Sequence, residues 1–151
     1  MMDKTPKGPP VLFLDVDGVL NQCAITAQGL MREKVELLSQ IVQRTGCVLV
    51  ISSTWRLCED HRKRLILMAN CYKMTILDWT PDLQTDQNKW DPPTRGEEIQ
   101  AWLEKNPTDK FVILDDERDM GDLLPFAVFT ESNTGLTPEI VEEVIQKLQH
   151  N

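Results

Sequence analysis

At 151 residues the chain has the length of one domain, long enough to bury a core without disulfide or metal staples. Its 41% apolar and 26% charged residues exclude a disordered or fibrous chain. Sixteen Lys+Arg against 24 Asp+Glu leave a formal charge of −8, which counts against wrapping a nucleic-acid backbone or coating an anionic membrane, because both need a cationic surface.

In chain order, residues 1–10 are polar and proline-rich, with no apolar stretch of the signal-peptide kind, and read as a flexible segment ahead of a single domain over 11–151. VLFLD at 11–15 is a strand apolar on both faces that runs into an Asp-Val-Asp-Gly turn. Residues 33–44 place Val35, Leu38, Ile41 and Val42 at helical spacing, and Gly46 closes that helix. CVLVI at 47–51 is a second buried strand, and no apolar run exceeds five residues, far too short to span a membrane. A helix over about 55–70 and a short strand over 74–77 follow.

Residues 78–93 have no periodicity and contain Pro81, Pro92 and Pro93, so they form a long loop, a feature that is often functional. Thr94 and Glu97 have the spacing of a capping box for a helix carrying Ile99, Trp102 and Leu103 on one stripe. FVIL at 111–114 is a third buried strand, ending in Asp115-Asp116, and 126–129 a fourth. Thr137-Pro138 opens a last helix that buries Ile140, Val141, Val144, Ile145 and Leu148. The four cysteines, Cys23, Cys47, Cys58 and Cys71, form no CxxC pair, and His61 and His150 are the only histidines, which excludes a zinc-type cluster. Interior free thiols in a reduced, soluble, cytoplasmic protein are the expectation.

Strands apolar on both faces and alternating with helices predict an α/β fold, a Rossmann-like parallel sheet between helix layers. Ligands bind beyond the carboxyl ends of such strands. There the sequence puts Asp15-Val16-Asp17-Gly18, Ser52-Ser53-Thr54 and Asp115-Asp116. Carboxylates sharing one pocket repel one another, and a hard divalent cation with oxygen ligands, Mg²⁺ above all, resolves that repulsion. One aspartate is then free to attack phosphorus while another handles the proton. Hydroxyls at a helix start hold phosphate oxygens, and Arg95 can clamp the same group. Each cluster has a plainer reading as a turn, a helix cap or a surface ion pair; their joint order after three buried strands favours chemistry. The sequence has neither a GxxxxGK[ST] nor a GxGxxG motif, and an EF-hand starting at Asp15 fails at Leu20 and Thr26.

FLDVDGVLN (13–21), VLVISSTWR (48–56) and VILDDERD (112–119) resemble motifs I, II and IV of the haloacid dehalogenase superfamily of phosphohydrolases. With RGEEIQAWL and FTESNTGLT added, the pattern is most similar to the domain of this superfamily found in Swiss Army Knife RNA-repair proteins, and it extends over 11–148. The resemblance implies Asp15 as a nucleophile that becomes an aspartyl-phosphate. Asp17 would be the acid and then the base, its backbone carbonyl also touching Mg²⁺. Asp115 would ligate the ion directly, and Asp116 directly or through water. Ser53 best matches the motif II hydroxyl, with Ser52 and Thr54 the alternatives. Arg95 is the choice for the basic residue of motif III, with Lys89 and Lys110 the alternatives.

The insertion points for a substrate cap, residues 21–31 and 78–93, are too short for a domain, so the protein resembles the capless members. In the family that goes with an open site and often with large substrates, and the candidates are a nucleic-acid end, a phosphoprotein or a small phosphate ester. Trp79 and Trp90 in the loop either stack on a base or anchor the loop on the core. Arg56, His61, Arg62, Lys63 and Arg64 form either a polyanion site or a solvated helix face. The competing class is a non-catalytic phosphate- or Mg²⁺-binding module. A receiver-type phosphoacceptor would have its acidic pair on the first strand and a lysine after the last, an order this chain does not have.

Overall fold

The computed structural model describes residues 8–22 and 29–150. Five parallel strands form one sheet: β1 (Val11–Leu14), β2 (Val48–Ile51), β3 (Ile76–Trp79), β4 (Phe111–Asp115) and β5 (Ala127–Phe129), in the order β3-β2-β1-β4-β5. The crossovers include α1 (Arg32–Thr45), α2 (Glu59–Cys71) and α3 (Arg95–Lys105), and α4 (Pro138–His150) ends the chain. From β1 the chain steps outward to β2 and β3, then returns by α3 to lay β4 on the other side of β1. The carboxyl ends of β1 and β4 therefore flank the point where strand order reverses, where α/β sheets bind ligands.

Alternation along the strands explains the two helix layers. Leu12, Leu14, Leu49, Ile51, Val112 and Leu114 pack with Leu38 and Ile41 of α1, Leu65 of α2 and Val144 and Leu148 of α4. Phe13, Val50, Phe111 and Ile113 face the opposite way, onto Ile99 and Trp102 of α3 with Met120 and Leu123. Both faces of β1, β2 and β4 are buried, which is why these strands read as unbroken apolar runs. In α4, Ile140 is partly buried and the other four expected residues are fully so.

Three boundaries differ from expectation for identifiable reasons. The helix expected over 55–70 is a short 3₁₀ turn, Thr54–Leu57, and then α2, with Cys58 extended between them. The third strand runs over Ile76–Trp79 rather than 74–77. Asp78 is tolerated in it because the Trp102 indole N–H donates to its carboxylate at 2.7 Å. Phe126 ends a 3₁₀ turn, Gly121–Phe126, ahead of β5. The capping box of Thr94 and Glu97 is present as expected.

Of the segment expected to be flexible, residues 1–7 lie outside the described residues, while the Pro10 carbonyl accepts a hydrogen bond from Val48 N–H at 2.9 Å. Much of the first insertion point, residues 23–28, is likewise outside them. Cys47 is buried as expected, but Cys58 and Cys71 are exposed free thiols, one at the break before α2 and one in its last turn; Cys23 is outside the described residues. Among the described residues no helix is long and apolar enough to cross a membrane.

Candidate active site

The register carries the site. Leu14 pairs with Ile51 on one side and Leu114 on the other. Continued by one residue, with Ser52 N–H donating to the Leu14 carbonyl and Asp15 N–H to the Leu114 carbonyl, this sets Ser52, Asp15 and Asp115 in a row on the α3 face. Arg95, first residue of α3, lies on the same face. One guanidinium nitrogen is 3.0 Å from Asp15 Oδ1 and 2.7 Å from Asp115 Oδ2.

Asp15, Asp115 and Asp116 each offer an oxygen within 4.8 Å of the others. Asp15 and Asp115 are buried and Asp116 partly so. Burial first, then the Asp115 carboxylate, push the Asp15 carboxyl well above the ordinary carboxylate range despite Arg95. Burial also raises Asp115 to about 6, against the pull of Arg95 and of the Glu117 N–H that donates to it. For Arg95, burial acts to lower its pKa and is outweighed by the two carboxylates, so it is held charged more firmly than usual. Asp15 and Asp115 hold their protons tightly, and with Asp116 beside them the three carboxylates fit a hard divalent cation, which would displace those protons.

That arrangement sets a pH dependence. The fold binds protons at Asp15 and Asp115 more tightly than the unfolded chain does. Between the ordinary carboxylate range and about pH 6 the unfolded chain holds fewer protons, so metal-free stability falls as pH rises through that window. Melting in EDTA is expected to drop from about pH 5 to about pH 7, with Mg²⁺ restoring stability at the higher pH and adding little at the lower. An equal Mg²⁺ shift at both pH values would contradict the assignment of these carboxylates to the ion.

The Asp-Gly turn brings β1 against Asp116. Gly18 has φ +83°, and a Cβ there would lie 2.1 Å from Asp116 Oδ2. Its carbonyl accepts from the buried Thr130 hydroxyl at 2.5 Å, while Ser132 Oγ donates to Asp116 at 2.8 Å. Gly18→Ala is expected to lose roughly 1–3 kcal/mol of stability from backbone strain. It should also weaken Mg²⁺ binding about tenfold or more by displacing Asp116, readable by calorimetric titration.

Asp17, expected among the metal ligands through its backbone, keeps its carboxylate out of the cluster. Oδ1 accepts from Asn21 Nδ2 at 2.8 Å and Oδ2 from Trp55 Nε1 at 3.2 Å. Of the three candidate hydroxyls, Thr54 is exposed. Ser53 Oγ accepts from Trp55 N–H at 3.1 Å and so caps the 3₁₀ turn. Ser52 Oγ is fully buried with no hydrogen-bond partner among the described residues. An orphaned buried hydroxyl beside Asp15 is uncommon in a finished core, and a phosphate oxygen at the cluster would complete it.

Sequence reading missed Asn21, Trp55 and Thr130 at the site, and it misplaced Arg56 in the basic run. The Arg56 guanidinium is buried, donating to the carbonyls of Ser52, Ser53, Thr80 and Pro81 and pairing with Glu98 at 3.0 Å. It ties the end of β2 to the loop after β3. Arg62 and Lys63 are exposed. The two tryptophans expected in the loop part company as well: Trp79 ends β3 and is half-buried against the core, and Trp90 is 89% exposed beside Lys89. A cleft of about 330 Å³ adjoins the site, lined by Thr54, Gln84, Arg95 and the acids Asp82, Glu117 and Asp119.

A family model described as the HAD domain in Swiss Army Knife RNA repair proteins matches residues 11–141. No curated protein matches the chain.

Proposed function

The chain belongs to the family of HAD domains in Swiss Army Knife RNA repair proteins, and from that premise we propose that it is a Mg²⁺-dependent phosphomonoesterase working through an aspartyl-phosphate on Asp15. The observation that carries this reading is the cluster of Asp15, Asp115 and Asp116, held at the strand-order reversal with Arg95 against it. A bound Mg²⁺ would neutralise these carboxylates and offset the charge of an incoming phosphate.

The residues of this chain would divide the remaining work. Asp15 attacks phosphorus, and the leaving oxygen takes the bond's electron pair and a proton from Asp17. Water, giving its proton back to Asp17, then attacks the aspartyl-phosphate and frees Asp15. Ser52 Oγ, without a hydrogen-bond partner among the described residues, donates to a phosphate oxygen. Arg95 steadies the negative charge that Asp15 and the phosphate share. A module that only bound phosphate or metal would need no side chain held as Asp17 is.

Substrate class follows from charge. Both arginines of the adjoining cleft, Arg56 and Arg95, are paired with carboxylates, leaving Asp82, Glu117 and Asp119 to dominate its lining. Such a surface favours a small phosphate ester or a single phosphorylated end over an extended strand or a polyanionic partner. Free thiols fit a cytoplasmic setting.

The test is a panel of an aryl phosphate, nucleotides, phosphopeptides and a 3′-phosphorylated oligonucleotide, with Mg²⁺ or EDTA. Metal-dependent release of phosphate from the aryl ester is expected. Turnover undiminished by EDTA, or tight metal binding without turnover on any ester, would overturn the proposal.

A further inference from the structure

The side chain that handles the proton is held from outside its own loop. Trp55 is 1% exposed, and a buried indole N–H requires an acceptor. That acceptor is Asp17 Oδ2, 38 residues earlier in the chain. Ser53 caps the turn that carries Trp55, and His61 of α2 stacks on the indole with ring centroids 4.2 Å apart and planes 23° from parallel. The ring therefore has little freedom to swing away. Asn21 holds the other Asp17 oxygen, but it also accepts from Gly18 N–H at 2.9 Å and donates to the Gly29 carbonyl at 2.8 Å. Asn21 closes the loop itself; Trp55 touches Asp17 through one N–H.

We propose that Trp55 is a positioning residue for the proton-transferring Asp17, aiming its carboxyl at the leaving group and then at the attacking water. The inference rests on the phosphatase reading above. Its signature lies in the order of the two steps. A nitrophenolate leaves without protonation, so transfer to Asp15 needs Asp17 little, whereas removal of the phosphoryl group needs Asp17 as base. Loss of aim at Asp17 therefore makes the phosphorylated protein accumulate, while general damage to the site lowers its formation.

The experiment compares the parent and Trp55→Phe on nitrophenyl phosphate with Mg²⁺. It measures turnover together with the fraction of protein phosphorylated at steady state, by acid quench and intact mass. Turnover is expected to fall about tenfold while the phosphorylated fraction rises. Trp55→Phe added to Asp17→Asn should cost little more than Asp17→Asn alone. If Trp55→Phe does not hold its fold, Trp55→Leu gives the same readings. Unchanged turnover, a fall without accumulation, or additive losses in the double variant would overturn the role of Trp55. A parent without turnover would instead overturn the phosphatase reading itself.

Discussion

Asp15→Asn is expected to lower kcat/KM on an aryl phosphate by at least about 10³-fold while leaving the metal-free protein no less stable than the parent. The two halves have one cause. Asp15 is buried beside Asp115 and Asp116, and its raised pKa means that the fold resists ionising it. An amide of the same shape keeps an acceptor for Arg95 and removes one buried charge, so EDTA-treated protein should melt at the same temperature or higher. The amide is also a poor nucleophile, and the variant cannot form the aspartyl-phosphate. The Mg²⁺ stabilisation expected of the parent should shrink. Full activity in this variant, or a large loss of metal-free stability, would contradict the assignment.

Arg56→Met is expected to destabilise the fold by about 3–5 kcal/mol, the range for breaking a buried ion pair and leaving one charge behind. Glu98 would keep its bond from Leu83 N–H and lose its cation, and the carbonyls of Ser52, Ser53, Thr80 and Pro81 would lose their donor. Urea unfolding should show a lower midpoint with an unchanged slope. Arg62→Ala, a few residues on and exposed, should change stability by less than about 0.5 kcal/mol. Equal effects would mean that the burial of Arg56 carries no weight.

The contrast between those two arginines shows what was legible in the sequence. Strand ends were readable because an apolar run that stops at a carboxylate marks both the element and its polar terminus. Asp15, Asp115 and Asp116 followed from that, and parallel register then set them side by side. The capping box was readable because its partners are three residues apart. Arg56 was not readable, because the carbonyls that bury it belong partly to a loop 24 residues on. Ser53 was preferred to Ser52 among the three hydroxyls, since only register distinguishes the one beside Asp15. Trp55 and Asn21 stood within the motif strings, with nothing in their spacing to name Asp17 as a shared partner. The break at Cys58 was hidden for a related reason, because a 3₁₀ turn capped by Ser53 and the helix after it share one helix-compatible composition.

The proposed chemistry turns on a covalent bond at one residue. Acid-quenching the parent protein during turnover of an aryl phosphate with Mg²⁺, then mapping the phosphoryl group by peptide mass, tests it most directly. A phosphoryl group on Asp15, absent when EDTA replaces Mg²⁺, is the predicted result. Turnover with the phosphoryl group on another residue, or with unmodified protein throughout, would contradict it.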